Sequence, residues 1–288
     1  GGNSGHVADS DIDCNGDCFG SATDDSCGVC SGGNSGHVAD SDIDACGDCF
    51  GGVGDTDGDG QCDTEDLEPN CATNDTDDCG VCGGSGAPDN FTCDGTFKPN
   101  TKEDLQTAVN MWVSSPESTE ATYGHISDWD VSLITDMSNL FKQKTTFNDD
   151  LSSWDVSNVT SMREMFHDAD IFNGDISSWD VSKVTNMNDM FRHTDFNGNI
   201  SNWDVSSVTQ MMRMFYHNYV FNQDLSEWDV SNVTNMQDMF HQAHIFNGDI
   251  STWDVSNVTN MEYMFKKATT FNQDLSGWDV SSVITMER

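Results

Sequence analysis

Phe172-Asn-Gly-Asp-Ile-Ser-Ser-Trp179-Asp-Val-Ser-Lys-Val-Thr-Asn-Met187-Asn-Asp-Met190-Phe191 is one copy of a unit that fills the second half of the chain. Its tetrapeptide Trp-Asp-Val-Ser starts at Trp129, Trp154, Trp179, Trp203, Trp228, Trp253 and Trp278, with a spacing of 25 residues except for 24 between Trp179 and Trp203. The missing residue lies between Phe191 and Phe196, where the preceding unit has the longer step from Phe166 to Phe172. Met137, Met162, Met187, Met211, Met236, Met261 and Met286 follow each Trp by eight residues. Leu140, Met165, Met190, Met214, Met239 and Met264 come three later, each beside a Phe. The alternation of Leu151, Ser153 and Asp155 against Ser152, Trp154 and Val156 predicts a short strand near the Trp. The spacing of Val159, Met162, Met165 and Phe166 predicts a helical or 3₁₀ turn after it. One such unit cannot bury its own apolar face, so successive units must stack.

Stacking turns equivalent positions into columns. Asn148, Asn173, Asn197, Asn222, Asn247 and Asn272 form one, whose amides are expected to bond adjacent turns. Asp130, Asp155, Asp180, Asp204, Asp229, Asp254 and Asp279 form another. Paired carboxylates serve glycosidases, but an active site is one constellation, and a feature repeated in every turn reads as structural. Each Asp is expected to accept from nearby Ser hydroxyls or backbone N–H groups. The methionine column reads as core packing against aromatics rather than soft-metal binding. His167, His193, His217, His241 and His244 fall in the variable stretch after the Phe, out of ligand register, and are expected at the surface. No nucleophile–base–orienter set and no phosphate loop stands out, so no enzyme is expected.

The pattern Phe-Asn-x-Asp-[Leu/Ile]-Ser-x-Trp-Asp-Val-Ser-x-Val-Thr-x-Met closely resembles the bacterial-surface-protein 26-residue repeat, a BspA-like relative of leucine-rich repeats, over about Phe97 to Arg288. The resemblance implies a right-handed, leucine-rich-repeat-like solenoid of short parallel strands and helical or 3₁₀ turns, on an exported or cell-surface protein with no shared catalytic chemistry. Residues 97–128 then read as a helical N-terminal cap and 129–288 as a seven-turn solenoid. Thr101-Lys-Glu-Asp104 has the form of a helix N-cap with an acidic partner. Leu105, Ala108, Val109 and Trp112 share one face of that helix, and Ser114-Ser-Pro116 ends it. No matching cap precedes Arg288, so further chain or another copy is expected against the last turn. Gly1 and Arg288 both fall inside repeats, as in a piece of a longer protein.

Residues 1–96 are built on other principles. They hold 22 of the 50 acidic residues, no Lys or Arg, and all 11 cysteines: Cys14, Cys18, Cys27, Cys30, Cys46, Cys49, Cys62, Cys71, Cys79, Cys82 and Cys93. Their only aromatics are Phe19, Phe50 and Phe91, too few for a core, so disulfides, metal ions or partners must hold them. Gly-Gly-Asn-Ser-Gly-His-Val-Ala-Asp-Ser-Asp-Ile-Asp occurs at 1–13 and 32–44, and Cys-Gly-x-Cys recurs at Cys27, Cys46 and Cys79. The Cys27, Cys30, Cys46 and Cys49 spacing also fits a four-thiolate zinc site. Dense cysteine in a core-poor acidic segment favours disulfides and an oxidising compartment. An odd cysteine count leaves at least one without an intrachain partner.

The sharpest local motif runs from Asp55 to Asp66. Asp55, Asp57, Asp59, Asp63 and Asp66 fall at positions 1, 3, 5, 9 and 12 of a calcium loop, with Gly60 at the sharp turn and Gln61 offering a carbonyl. The pattern resembles thrombospondin type 3 and EF-hand-like calcium loops, with Asp in place of the bidentate Glu. Asp9, Asp11, Asp13 and Asp17, and Asp40, Asp42, Asp44 and Asp48, repeat the spacing without the Gly or a carboxylate at the last position, and are weaker calcium candidates.

The net charge of −39 argues against nucleic acid and anionic lipid as partners, and no apolar run reaches membrane-span length. Sequons at Asn74, Asn90, Asn158, Asn199, Asn232 and Asn257 are glycosylation candidates. These features fit a non-catalytic, extracellular structural protein that associates with itself head to tail, or with other surface proteins, in a filament or appendage. The alternative is an adhesion or recognition module on an acidic stalk, for which Tyr216, Tyr219 and Tyr263 are the notable surface positions.

Overall fold

The computed structural model describes residues 12–17, 19–43, 49, 56, 61–63 and 66–287, in two units, Gly1–Ala87 and Pro88–Arg288. In the second, helix α1, Lys102–Ser114, starts where the sequence places it: the Thr101 hydroxyl accepts from the Asp104 N–H at 3.2 Å and donates to its carboxylate at 2.7 Å. Leu105, Ala108, Val109 and Trp112 form its buried face. Pro116 does more than end α1, because it occupies the first turn of a second helix, α2, Pro116–Tyr123, where its missing N–H costs nothing. The sequence reading did not anticipate α2, whose amphipathic pattern is weak and whose only buried residue is Thr119.

From Trp129 onward, each unit lies against the next. Buried indoles need an acceptor, and each finds one in the preceding turn. Trp154 donates to the Ile126 carbonyl (2.8 Å), Trp179 to Leu151 (3.0 Å), Trp203 to Ile176 (3.1 Å) and Trp228 to Ile200 (2.9 Å). Trp129, with no unit before it, donates to Gly124 at 3.1 Å. Two phenylalanine columns fill the interior. Phe166 and Phe172 stack within one turn at 3.8 Å, and Phe166 stacks on Phe141 and Phe191 at 5.3 and 5.8 Å. Such pairs add about 0.5–1.5 kcal/mol each to the burial of their area.

The backbone joins neighbouring turns in parallel register. Isolated bridges link Asp136 to Ser161, Ser161 to Asn186, Asn186 to Gln210, Gln210 to Asn235, Asn235 to Asn260 and Asn260 to Thr285. Beyond each bridge, alternate N–H groups donate to the following turn: Met162 to Asn186, Glu164 to Asn188, Phe166 to Met190 and Asp168 to Arg192, at 2.9–3.0 Å. Met165, His167 and Ala169 instead close turns on Met162, Glu164 and Phe166. Glu164 and Asp168 have positive φ (both 56°), as do Asp189 and His193 (57° and 54°) one turn on. A left-handed residue at the third position marks a type II turn.

This differs from the expected local structure. The bridge falls seven residues after the Trp rather than beside it, and a chain of overlapping β-turns replaces the helical or 3₁₀ segment. The physical reason is that left-handed residues break both a helix and a strand while leaving every other N–H aimed at the next turn.

In the first unit the two-residue strands β1, Thr23–Asp24, and β2, Cys30–Ser31, pair antiparallel. Aspartate carboxylates organise this unit. Asp77 Oδ1 accepts from the N–H of Cys79 (2.9 Å) and Val81 (3.0 Å), and its Oδ2 from Gly86 (2.7 Å). Asp13 repeats the pattern with Asn15, Asp17 and Ala22, and Asp25 with Cys27, Val29 and Asp40. The sequence carries this as Asp-x-[Cys/Asn]-Gly-x-Cys-x-Gly at 13–20, 25–32, 44–51 and 77–84, a wider unit than Cys-Gly-x-Cys. In two copies the last glycine has a steric role, since a Cβ on Gly20 or Gly84 would lie 2.0 Å from an Oδ2 of Asp13 or Asp77, whereas Gly32 has open space there and instead adopts a φ of 75°.

Candidate functional site

Disulfides join Cys14 to Cys30, Cys27 to Cys49 and Cys71 to Cys82, and Cys62, Cys79 and Cys93 are disulfide-bonded as well. The four-thiolate zinc alternative is therefore corrected, since the Cys27, Cys30 and Cys49 sulfurs are oxidised. Cys18 and Cys46 lie outside the described residues. Cys71, Asp75 and Cys82 converge, but two of those sulfurs form one disulfide and offer no thiolate.

Of the best calcium candidate, Asp55, Asp57 and Asp59 lie outside the described residues, as do Asp9, Asp11, Asp44 and Asp48. Asp63 accepts from the Thr56 hydroxyl (2.7 Å) and N–H (2.9 Å), which hold its carboxyl below the usual range. Asp66 accepts from Glu68 N–H through Oδ1 (2.8 Å), while its Oδ2 is buried with no hydrogen-bond partner among the described residues. Among the weaker set, Asp13 is committed to backbone amides, Asp40 accepts from Ser26 N–H (3.0 Å), and Asp42 faces the His37 ring at 3.0 Å.

The asparagine column bonds adjacent turns: Asn148 Oδ1 accepts from Asn173 N–H, and the pattern continues through Asn197, Asn222, Asn247 and Asn272 at 2.7–2.9 Å. Along the exposed aspartate column, Asp155, Asp180, Asp204, Asp229, Asp254 and Asp279 each accept from the Ser N–H two residues on, at 3.0 Å. Sequon residues Asn158, Asn232 and Asn257 are exposed and donate through Nδ2 to carbonyls of the preceding turn at 2.8–2.9 Å. Asn199, also exposed, instead accepts from Ser201 through Oδ1, while Asn74 and Asn90 adopt positive φ.

The histidines depart from expectation. His167 and His241 are buried, and His193 and His217 are partly buried, leaving only His244 of the five exposed. His193 and His217 occupy the same place in successive turns, with ring centroids 4.7 Å apart. His167 and His241 stand in the neighbouring column, with Arg192 and Tyr216 between them in sequence order. Tyr216 packs edge-on to His241 at 4.9 Å, and Tyr219 against His244 at 5.1 Å. The result is a strip of imidazole and phenol rings along one side of the stack. The signal was present in the sequence, because His193 and His217 both lie two residues after a repeat Phe.

This strip meets the one irregular turn. Where other turns bury Ala169 or Ala243, the shortened turn buries Thr194 and the next buries Asn218. Asn218 is fully engaged: Nδ2 donates to the Phe196 carbonyl (2.8 Å) and Thr194 hydroxyl (3.3 Å), and Oδ1 accepts from Val220 and Phe221 (3.1 and 2.9 Å). Beside it opens a cavity of about 280 Å³ lined by Asp170, His193, Thr194, Asp195, His217 and Tyr219. His193 Nδ1 is 3.0 Å from Asp168 Oδ1, and His217 Nδ1 is 3.0 Å from the Tyr219 hydroxyl. Burial, the His193 and His241 rings, and the charges of Arg192 and Lys267 push the His217 imidazole down to about 4.

A larger cavity, about 590 Å³, lies against the last turn and is lined mainly by Met261, Met264, Phe265, Leu275, Trp278 and Met286. No described helix is long and apolar enough to cross a membrane. A family model described as Mycoplasma protein of unknown function, DUF285, matches residues 109–215 and again 191–288. No curated protein and no solved structure matches the chain.

Proposed function

The chain belongs to the DUF285 family, and from that footing we propose that it is a non-catalytic, extracellular structural protein whose second unit is a BspA-like, right-handed leucine-rich-repeat-like solenoid. The observation that carries the reading is repetition of bonding. The same indole, asparagine and backbone contacts recur from turn to turn, which is the economy of a scaffold rather than of one reactive centre. The disulfides support an oxidising, extracellular setting.

In this reading the acidic unit is a linker tied by disulfides and calcium, with Asp55, Asp57, Asp59, Gln61, Asp63 and Asp66 as ligands. The partnerless Asp66 Oδ2 supports an ion there. Copies associate with one another in a filament or surface layer. Because α1 covers the first turn, joining of copies does not continue the column at that end. Electron microscopy of the full chain at high concentration, in calcium and oxidising buffer, is expected to show ordered polymers. Isolated monomers alone would overturn the reading.

One observation favours a second reading, adhesion or recognition. The imidazole–tyrosine strip concentrates sequence variation and aromatic side chains on one side of an otherwise uniform stack. Monomers that retain a saturable ligand lost on Tyr216→Ala and Tyr219→Ala substitution would favour it over the polymer.

A further inference from the structure

We propose that His193 and His217 anchor a binding site for a divalent transition metal of the zinc type. In a protein whose turns otherwise repeat their bonds, these two side chains break the pattern together. Their Nε2 atoms are both buried without a hydrogen-bond partner. A buried polar atom left unpaired in a well-bonded interior calls for an ion or a water. Their Nδ1 atoms, by contrast, are engaged, one with the Asp168 carboxylate and one with the Tyr219 hydroxyl. This is the outer-shell arrangement that fixes the tautomer of a metal-bound imidazole and leaves the other nitrogen as ligand.

The spacing suits one shared ion. With Zn–N bonds of about 2.0–2.1 Å, a metal lies about 3.2 Å from each ring centroid. With both Nε2 atoms turned towards one ion, the observed 4.7 Å between centroids corresponds to an N–metal–N angle of about 95°, and a widening of about 0.5 Å reaches the tetrahedral angle. The 48° tilt between the rings is compatible with their nitrogens converging by small side-chain rotations. Among the described residues no third histidine, cysteine or carboxylate ligand atom converges with the two imidazole nitrogens as the side chains stand, so the Asp170 and Asp195 carboxylates, which line the same cavity, join only after side-chain rotation, and water takes the remaining positions. Imidazole with carboxylate is a donor set for zinc, copper or nickel rather than calcium.

The electrostatics permit a cation. Arg192 stands nearby, but it pairs with Asp189 at 3.3 Å and lies over the Tyr216 ring. Asp168, Asp170 and Asp195 bring three carboxylates to the pair and its cavity, against the two cations Arg192 and Lys267 that act on His217. His193 lies in the only shortened turn and His217 in the turn after it, beside the buried Thr194 and Asn218, where the cavity opens. A local departure from an otherwise consistent repeat is where function is expected.

The test uses the full chain, stripped with chelator and then held in excess calcium so that the acidic unit is saturated. Calorimetric titration with Zn²⁺, and electron paramagnetic resonance with Cu²⁺, are expected to show one site per chain with nitrogen donors. His217→Ala and His193→Ala should each weaken Zn²⁺ binding by about tenfold or more, and Asp168→Asn by about tenfold through loss of the outer-shell bond. His244→Ala, on the exposed ring of the strip, should leave it unchanged. Tryptophan fluorescence reports whether each variant keeps its stack, and His193→Gln and His217→Gln are used where an alanine variant loses it. A Cu²⁺ spectrum with oxygen donors only, or Zn²⁺ affinity unmoved in folded variants of either histidine, would overturn the proposal.

Discussion

The two units solve the same problem with opposite means. In Pro88–Arg288 large side chains stack and hide from water, and the indole N–H groups that go in with them are paired turn by turn. In Gly1–Ala87, the described apolar side chains buried from water are only Ala22 and Cys71, and aspartates fold the backbone by accepting its N–H groups. Cohesion in Pro88–Arg288 is spread over many equivalent contacts. In Gly1–Ala87 it rests on a few covalent links and on carboxylates that must stay ionised. A chain can therefore be strongly acidic throughout and still hold one half by burial and the other by charge.

The largest separation of the two is expected on reduction. Loss of a native disulfide from a small domain costs about 2–5 kcal/mol, and several go at once in the first unit. Dithiothreitol should open residues 1–87 to proteolysis while leaving the tryptophan fluorescence largely unchanged, because every Trp lies in the second unit and follows its one cysteine, the disulfide-bonded Cys93. Loss of both signals together would mean that the units are not independent.

Next in size is damage to the stack. Phe215 is fully buried and lies against Phe191, Phe221 and Phe240 at 5.8, 3.9 and 5.5 Å. Phe215→Ala should destabilise the second unit by about 3–5 kcal/mol in denaturant unfolding followed by Trp fluorescence, with the first unit unaffected. The matching change in the first unit is smaller. Gly84→Ala places a methyl group on the Asp77 carboxylate and should speed hydrogen exchange at Cys79, Val81 and Gly86 without altering the fluorescence. Unchanged exchange would remove the aspartate from its organising role.

The stack was legible because stacking demands repetition, and the Trp, Met, Phe and Asn positions repeat with little noise. What was not legible was the backbone between them. Left-handed residues such as Glu164, Arg213 and Tyr263 are not glycine or asparagine, so residue type gives no sign of the turns that stacking imposes on them. The cap helix announced itself through Thr101 and Asp104, whereas α2 shows no comparable apolar face. In the first unit the aspartates drew attention as cation ligands. Their role as backbone acceptors shows only when Asp13, Asp25 and Asp77 are aligned with the glycines that follow them. The histidine pair escaped because the five histidines together keep no single register, although His193 and His217 both stand two residues after a repeat Phe.

The mildest probe is acid. His217 is held at about 4 against an ordinary value of 6.5, so the unfolded chain binds more protons between those values. Its contribution is present above pH 6.5 and is lost as pH falls towards 4. Glu164 is disfavoured as an anion by burial, but hydrogen bonds from Lys142 and His167 and the charges of Lys142 and Arg163 hold it at about 2, below its ordinary 4.5. Its contribution is present above 4.5 and is lost as pH falls from there towards 2. The second unit should therefore weaken in two steps on acidification, and His217→Gln should diminish the upper one, to which His167, also lowered by burial, contributes. A single step unaffected by that change would contradict the assignment.

The central claim is that neighbouring turns are joined backbone to backbone at a distance of one repeat. Nuclear magnetic resonance couplings across hydrogen bonds test it most directly. They are expected to connect the amide nitrogens of Met162, Glu164 and Phe166 with the carbonyl carbons of Asn186, Asn188 and Met190. Couplings from these three amides only to carbonyls of their own turn would contradict it.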